Sequence, residues 1–110
     1  MTTPTTVIDE VRVADPRGVV LQKVEGIPIG NHLLVHRWDG TWHLTHRPTG
    51  RLISTYRDGP EAVRQAQILV ESGAELGDAY DSQAVEEIRG IADHIRWQQA
   101  EEAVHDQAGT

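Results

Sequence analysis

Two turn signals separated by six residues constrain this chain more than any other feature. Asp39-Gly40 is a dipeptide that tolerates the positive φ angles of a two-residue type I′ turn, and strand-like runs flank it at residues 33–38 and 41–46. Arg47-Pro48-Thr49-Gly50 follows, with a proline to fix one φ and a glycine to take the left-handed position that closes a bulged loop. A tight hairpin turning at Asp39-Gly40 sets Trp38 opposite Thr41, Arg37 opposite Trp42 and His36 opposite His43. Because side chains alternate across a strand, that register assigns faces. One face carries Leu33, Val35, Trp42 and Leu44, with Arg37 and His46 toward its ends, and is the expected core. The other carries His32, Leu34, His36, Trp38, His43, Thr45 and Arg47, and is expected to meet solvent or a partner. A third strand over residues 52–57 follows, with its register open: a one-residue change in loop length exchanges Leu52, Ser54 and Tyr56 with Ile53, Thr55 and Arg57.

Upstream, residues 7–14 alternate, with Val7, Val11 and Val13 opposite Glu10 and Arg12, and read as a strand. Asp15-Pro16-Arg17-Gly18 is a turn, and residues 19–24 form a second strand. Gly26-Ile27-Pro28-Ile29-Gly30 interrupts regular pairing, since proline donates no ladder bond, and is expected to be a wide loop or bulge. Downstream the period changes. Pro60 and Glu61 suit a first helical turn, and Ala62, Val63, Ala66, Leu69 and Val70 recur at helical spacing as far as Gly73, a C-cap. A loop anchored by Leu76 and Tyr80 leads to a second helix, capped by Asp81 or Ser82 and running to about Val104. Ala84, Val85, Ile88, Ile91, Ala92 and Ile95 form its first apolar stripe. Trp97, Ala100 and Val104 continue it rotated around the axis. Gly90 weakens the middle of that helix by about 1 kcal/mol relative to alanine, so a bend or a close approach is expected there.

These elements predict an α+β fold: an antiparallel β-meander of four or five strands followed by two α-helices, the first packed on the sheet. The 110 residues suffice for a single domain with one modest core, with residues 1–6 and 105–110 as flexible tails. Cysteine is absent, which removes disulfides and thiolate sites and fits a reducing cytoplasm. The opening MTTPTT has neither a basic start nor an apolar run, and no stretch approaches the ~20 apolar residues of a membrane span. The net charge of −7 is unevenly distributed. Residues 1–57 hold five acids and seven bases (+2), and residues 58–110 hold twelve acids and three bases (−9). A mildly basic sheet half therefore joins a strongly acidic helical half.

Candidate chemistry is sparse. His36 and His43, directly opposed with His32 two residues along, supply two imidazoles to a zinc, copper or nickel ion, but a tight site needs a third or fourth ligand, Asp39 in the turn is poorly aimed and no other acid falls on that face, so solvent-exposed histidines are the better reading. Trp38 among His36, His43 and the arginines suits base stacking or a protein hot spot, and equally a position under the N-terminal strands or the second helix. The three serines lie in no nucleophile-elbow pattern, and the single lysine, Lys23, belongs to no phosphate-cradling glycine loop. No catalytic residue, cofactor or small-molecule substrate is inferred, and the chain is expected not to be an enzyme.

Gly40 and Trp42 at the start of a strand, Gly50-Arg51 in the next turn and Glu61-Ala62 opening a helix form a pattern that resembles the arm-type DNA-binding domain of tyrosine integrases. That likeness covers about a quarter of the chain and implies a three-stranded sheet, backed by a helix, that enters the DNA major groove. The chain departs from the family in having Tyr56-Arg57-Asp58-Gly59-Pro60 where a phenylalanine and a threonine-lysine pair usually precede the Glu-Ala, and in its near lack of lysine. No recombinase catalytic domain accompanies the pattern, so integrase activity is not implied.

Two functions are left in view. The first is a small non-enzymatic interaction or regulatory module that binds a protein partner, or a second copy, through its acidic helices and the apolar seam of Ile91, Trp97, Ala100 and Val104. The alternative is a nucleic-acid-binding module using Arg37, Trp38, His36, His43, Arg47 and Arg51. Such a size and composition suit an accessory protein of a mobile element.

Overall fold

A computed structural model of the chain describes residues 5–77 and 82–108, and their side chains except those of 15, 82 and 102–108. Five strands, β1 (Val7–Asp15), β2 (Gly18–Ile29), β3 (Leu33–Trp38), β4 (Thr41–His46) and β5 (Arg51–Tyr56), form one antiparallel sheet in chain order. Two helices follow, α1 (Gly59–Glu71) and α2 (Ser82–Ala108). The fold is α+β, with α1 packed on the sheet.

The Asp39-Gly40 turn has φ of 49° and 81°, both positive as a type I′ turn requires, and β3 pairs with β4 in the expected register. On the helix-facing side, Leu33, Val35 and Leu44 join Ala62, Ala66 and Leu69 of α1 and Ile88, Ala92 and Ile95 of α2 in one buried cluster. The open register of β5 resolves through a bulge. Leu44 faces Ser54 while Thr45 faces Leu52, so Ile53 is the extra residue. The core thus takes Ile53 and Tyr56, one from each alternating set. Asp58 caps α1 by accepting from the Glu61 N–H at 2.7 Å, and the chain leaves the helix through Ser72 and a left-handed Gly73.

Two expectations are corrected. Residues 26–29 are not a loop: they continue β2 and pair with β3, Gly26 opposite His36 and Ile29 opposite Leu33. β2 therefore pairs with β1 along Gly18–Gly26 and with β3 along Gly26–Ile29, and Pro28 lies where β1 no longer runs alongside. A Cβ on Gly26 would come within 2.8 Å of both the Leu34 side chain and the Val35 carbonyl, so only glycine lets β2 and β3 close at this point. Second, α2 runs on through Ala108 instead of ending near Val104, because no helix breaker occurs between Gln98 and Ala108. Residues 78–81, Tyr80 and Asp81 among them, and residues 1–4 and 109–110 lie outside the described residues, as does the Ser82 side chain, so the cap of α2 is not assigned.

Candidate interaction surface

The β1–β2 arm does not lie flat beside β3. It curls over the sheet face opposite the helices, where Val11 and Val13 are buried against Leu34, with Val7, Val20, Val24 and Trp38 around them. Polar ties at the rim complete the closure. The Arg12 N–H donates to the Gly50 carbonyl at 2.6 Å, Arg12 Nε donates to the Thr49 carbonyl at 3.1 Å, and Arg47 Nε meets the Asp9 carboxylate at 2.7 Å. Both ends of the sheet thereby meet at the β4–β5 turn, which removes part of the exposed edge.

This arm covers the histidine face that was expected to be open. His36 is 1 % exposed, with its Nε2 2.8 Å from the Thr45 hydroxyl and its ring set edge-on to His43 at a centroid distance of 5.3 Å. His36 Nδ1 has no hydrogen-bond partner. The least costly neutral tautomer puts the proton on Nε2, donating to Thr45, and leaves a lone pair rather than an N–H without a partner. Burial lowers the His36 pKa to about 4, a backbone interaction with Arg37 opposes that, and the neighbouring His43 adds to it. His43 is lowered too, by burial first, with Asp39 acting the other way.

His46, on the opposite face, is fully satisfied. Its Nε2 donates to the Leu76 carbonyl at 2.6 Å, and its Nδ1 accepts from the Thr49 hydroxyl at 2.9 Å. Burial lowers its pKa, the Leu76 carbonyl raises it, and His32 lowers it. It ties β4, the following turn and the α1–α2 loop together, which gives Leu76 its anchoring position.

The six residues assigned to nucleic acid do not converge on one open face. His36 is buried, and Trp38 and His43 are half-buried on the arm-covered face. Arg37 lies across the sheet, its guanidinium 5.9 Å from the Trp42 ring. Arg47 is engaged by Asp9, and Arg51 begins β5 opposite His46. Among the described residues, no group of three or more His, Cys, Asp or Glu is placed to hold a metal ion. A polar cleft of about 380 Å³ lies between Thr41, Thr55, Tyr56, Arg57, Glu61 and Arg96, with acid and base both in its lining.

The seam on α2 is placed differently. Val85, Ile88, Ala92 and Ile95 are buried, and Ile91, assigned to that stripe, sits at its margin, 37 % exposed. Arg89 Nε donates to the Leu52 carbonyl at 2.7 Å and Arg96 donates to the Thr55 carbonyl, stacking its guanidinium 4.3 Å from the Tyr56 ring centroid. Sequence reasoning missed this pair of clasps on β5. Their spacing of seven residues, two helical turns, is the signal that places them on one face. Trp97, about 180° around the axis from Ile88, is 63 % exposed, and no described side chain beyond Arg96 is buried. Ala100 is exposed beside it, and the Val104 side chain lies outside the described residues.

A second set of exposed apolar residues, Ile8, Val19 and Leu21, lies on the outer face of the β1–β2 arm. It is interleaved with both signs of charge, Glu10 standing opposite Lys23 and Ile8 opposite Glu25. No helix among the described residues is long and apolar enough to cross a membrane. Comparison of the chain with protein-family models, with curated proteins and with solved structures returned no match.

Proposed function

We propose that this chain is a non-catalytic interaction module that binds a protein partner through the outer face of α2. One observation carries the reading: Trp97 stands 63 % exposed on a helix whose buried side is already spent on β5 and α1. At ~1.5 Å per residue, the twelve residues from Trp97 to Ala108 extend roughly 18 Å past Ile95, the last buried position among the described side chains. Covering the Trp97 side chain is worth roughly 1.5–3 kcal/mol, a substantial share of the roughly 8 kcal/mol of a micromolar complex. Nucleic-acid binding on the histidine face has less support, because the arm would have to lift away before Trp38 and His36 became accessible.

The test is a photo-crosslinking residue placed at position 97, and in separate chains at positions 38 and 21, in the cells that make the protein. Adducts at 97 alone are the expected result. Adducts confined to 38 or 21 move the binding face to the sheet or the arm and overturn the proposal.

A further inference from the structure

The outer face of α2 is acidic as well as apolar, and the reason is structural. Of the three bases in residues 58–110, Arg89 and Arg96 turn inward to the Leu52 and Thr55 carbonyls, and Arg89 also pairs with Glu86. No arginine or lysine is therefore left on the free side of the helix among the described side chains, and the one basic group there is the imidazole of the exposed His94. Asp93 and Glu101 stand one turn before and one turn after Trp97, on its own face, and both are exposed. Neither makes an ion pair among the described side chains. Gly90, two turns before Trp97, has nothing within 4 Å of where its Cβ would lie, so the face has a low point next to the indole ridge.

From this charge pattern, and resting on the interaction reading above, we infer that the occupant of the α2 outer face is a cationic amphipathic helix of another protein. Its apolar stripe covers Trp97, and its lysines or arginines meet Asp93 and Glu101. A second copy of this chain is the poorer fit. Pairing α2 with α2 sets Asp93 and Glu101 against their own counterparts within a half that carries −9, and like charges across such a seam oppose association.

The probe is a synthetic helical peptide of roughly 18 residues, five turns, built of leucine and lysine in an amphipathic pattern. Its twin carries glutamate in place of every lysine. Each is titrated calorimetrically into the full chain, into Trp97→Ala and into Asp93→Asn with Glu101→Gln, after thermal melts have shown that the variants fold. The leucine–lysine peptide should bind, about tenfold or more weakly to Trp97→Ala and several-fold more weakly to the neutralised variant, with affinity falling as salt rises. The leucine–glutamate twin should not bind. Equal binding of both peptides, dependent on Trp97, overturns the charge inference and leaves the apolar seam as the binding face. Binding of the lysine peptide that ignores Trp97→Ala places it elsewhere on the acidic surface and overturns the inference. Self-association of the wild type that strengthens with salt and excludes the peptide makes a second copy the occupant. Binding of neither peptide overturns the inference, and the proposed function falls with it only if the crosslinker at position 97 is silent as well.

Discussion

The two faces of the central sheet are covered in different ways. On one, α1 and α2 lay a continuous apolar stripe over Leu33, Val35 and Leu44, and the buried histidine there, His46, has both ring nitrogens partnered. On the other, the β1–β2 arm buries Val11 and Val13 onto Leu34 with Val7, Val20 and Val24 partly buried around them, and beside them lie His36 and Thr45, with His36 Nδ1 lacking a partner. The helical cover also leaves one buried polar atom without a partner, Gln65 Oε1 on α1, but it lays down the larger apolar cluster. The arm is a lighter cover, fastened at its rim by Arg12, Arg47 and Asp9. The difference is one of extent: the arm hides the histidines under a small apolar cluster, while the helices bury the larger one, so the helix-covered face is expected to carry more of the stability.

The largest effect separating the two faces should come from truncation of their leucines. Leu44 and Leu34 are both fully buried, and leucine-to-alanine changes in cores cost about 2–5 kcal/mol depending on how far the site collapses. Leu44→Ala, held between sheet and helices, should fall near the top of that range, and Leu34→Ala, under an arm able to settle, near the bottom. Urea titrations with unchanged m-values measure both, and equal losses would erase the distinction.

Acid should act next, most strongly through His36 on the arm-covered face, with His46 under the helices lowered in the same direction. His36 takes a proton near pH 6.5 when unfolded and only near 4 when folded. The unfolded state therefore binds more protons in that window, so the His36 contribution is complete above about pH 6.5 and lost as pH falls toward 4. A shift of that size corresponds to a loss on the order of 3 kcal/mol. His36→Leu combined with Thr45→Val removes both polar partners together, and should leave stability near neutral pH little changed while flattening the acid limb. An unaltered acid limb in that variant would assign the loss to other groups.

Much of this arrangement was legible in the sequence. Asp39-Gly40 gave the β3–β4 register and the opposition of His36 to His43, and helical spacing gave the stripe of Ala62, Ala66 and Leu69. The arm was not legible, because alternation reports which residues share a face and not what later covers that face. Pro28 concealed it further: the residue that reads as a break sits on the single-neighbour stretch of a continuous strand. The Leu44/Thr45 bulge left no local mark either, since it arises from fitting β5 to β4. On α2 the two stripes were visible. That Trp97 would remain outside depended on how far β5 extends, which no periodicity reports.

Smaller effects should distinguish the packed and free sides of α2. Gly90→Ala meets nothing within 4 Å and should raise stability by about 1 kcal/mol, read as a higher thermal midpoint. A loss instead would mean that the glycine fills a packing role. Trp97→Ala should change stability by less than about 0.5 kcal/mol, as exposed substitutions do, and a loss of several kcal/mol would place the indole in the core.

The three tryptophans supply the most direct test, because each reports a different surface: Trp42 the helix-covered face, Trp38 the arm-covered face and Trp97 the free face of α2. Their indole N–H resonances can be followed in one spectrum while the leucine–lysine peptide, and separately a mixed-sequence DNA duplex, is titrated into the full chain. The peptide should move the Trp97 resonance and leave Trp38 and Trp42 in place, and the duplex should move none. A shift of Trp38 with Trp97 unmoved, under either titrant, would contradict the account and return binding to the histidine face of the sheet.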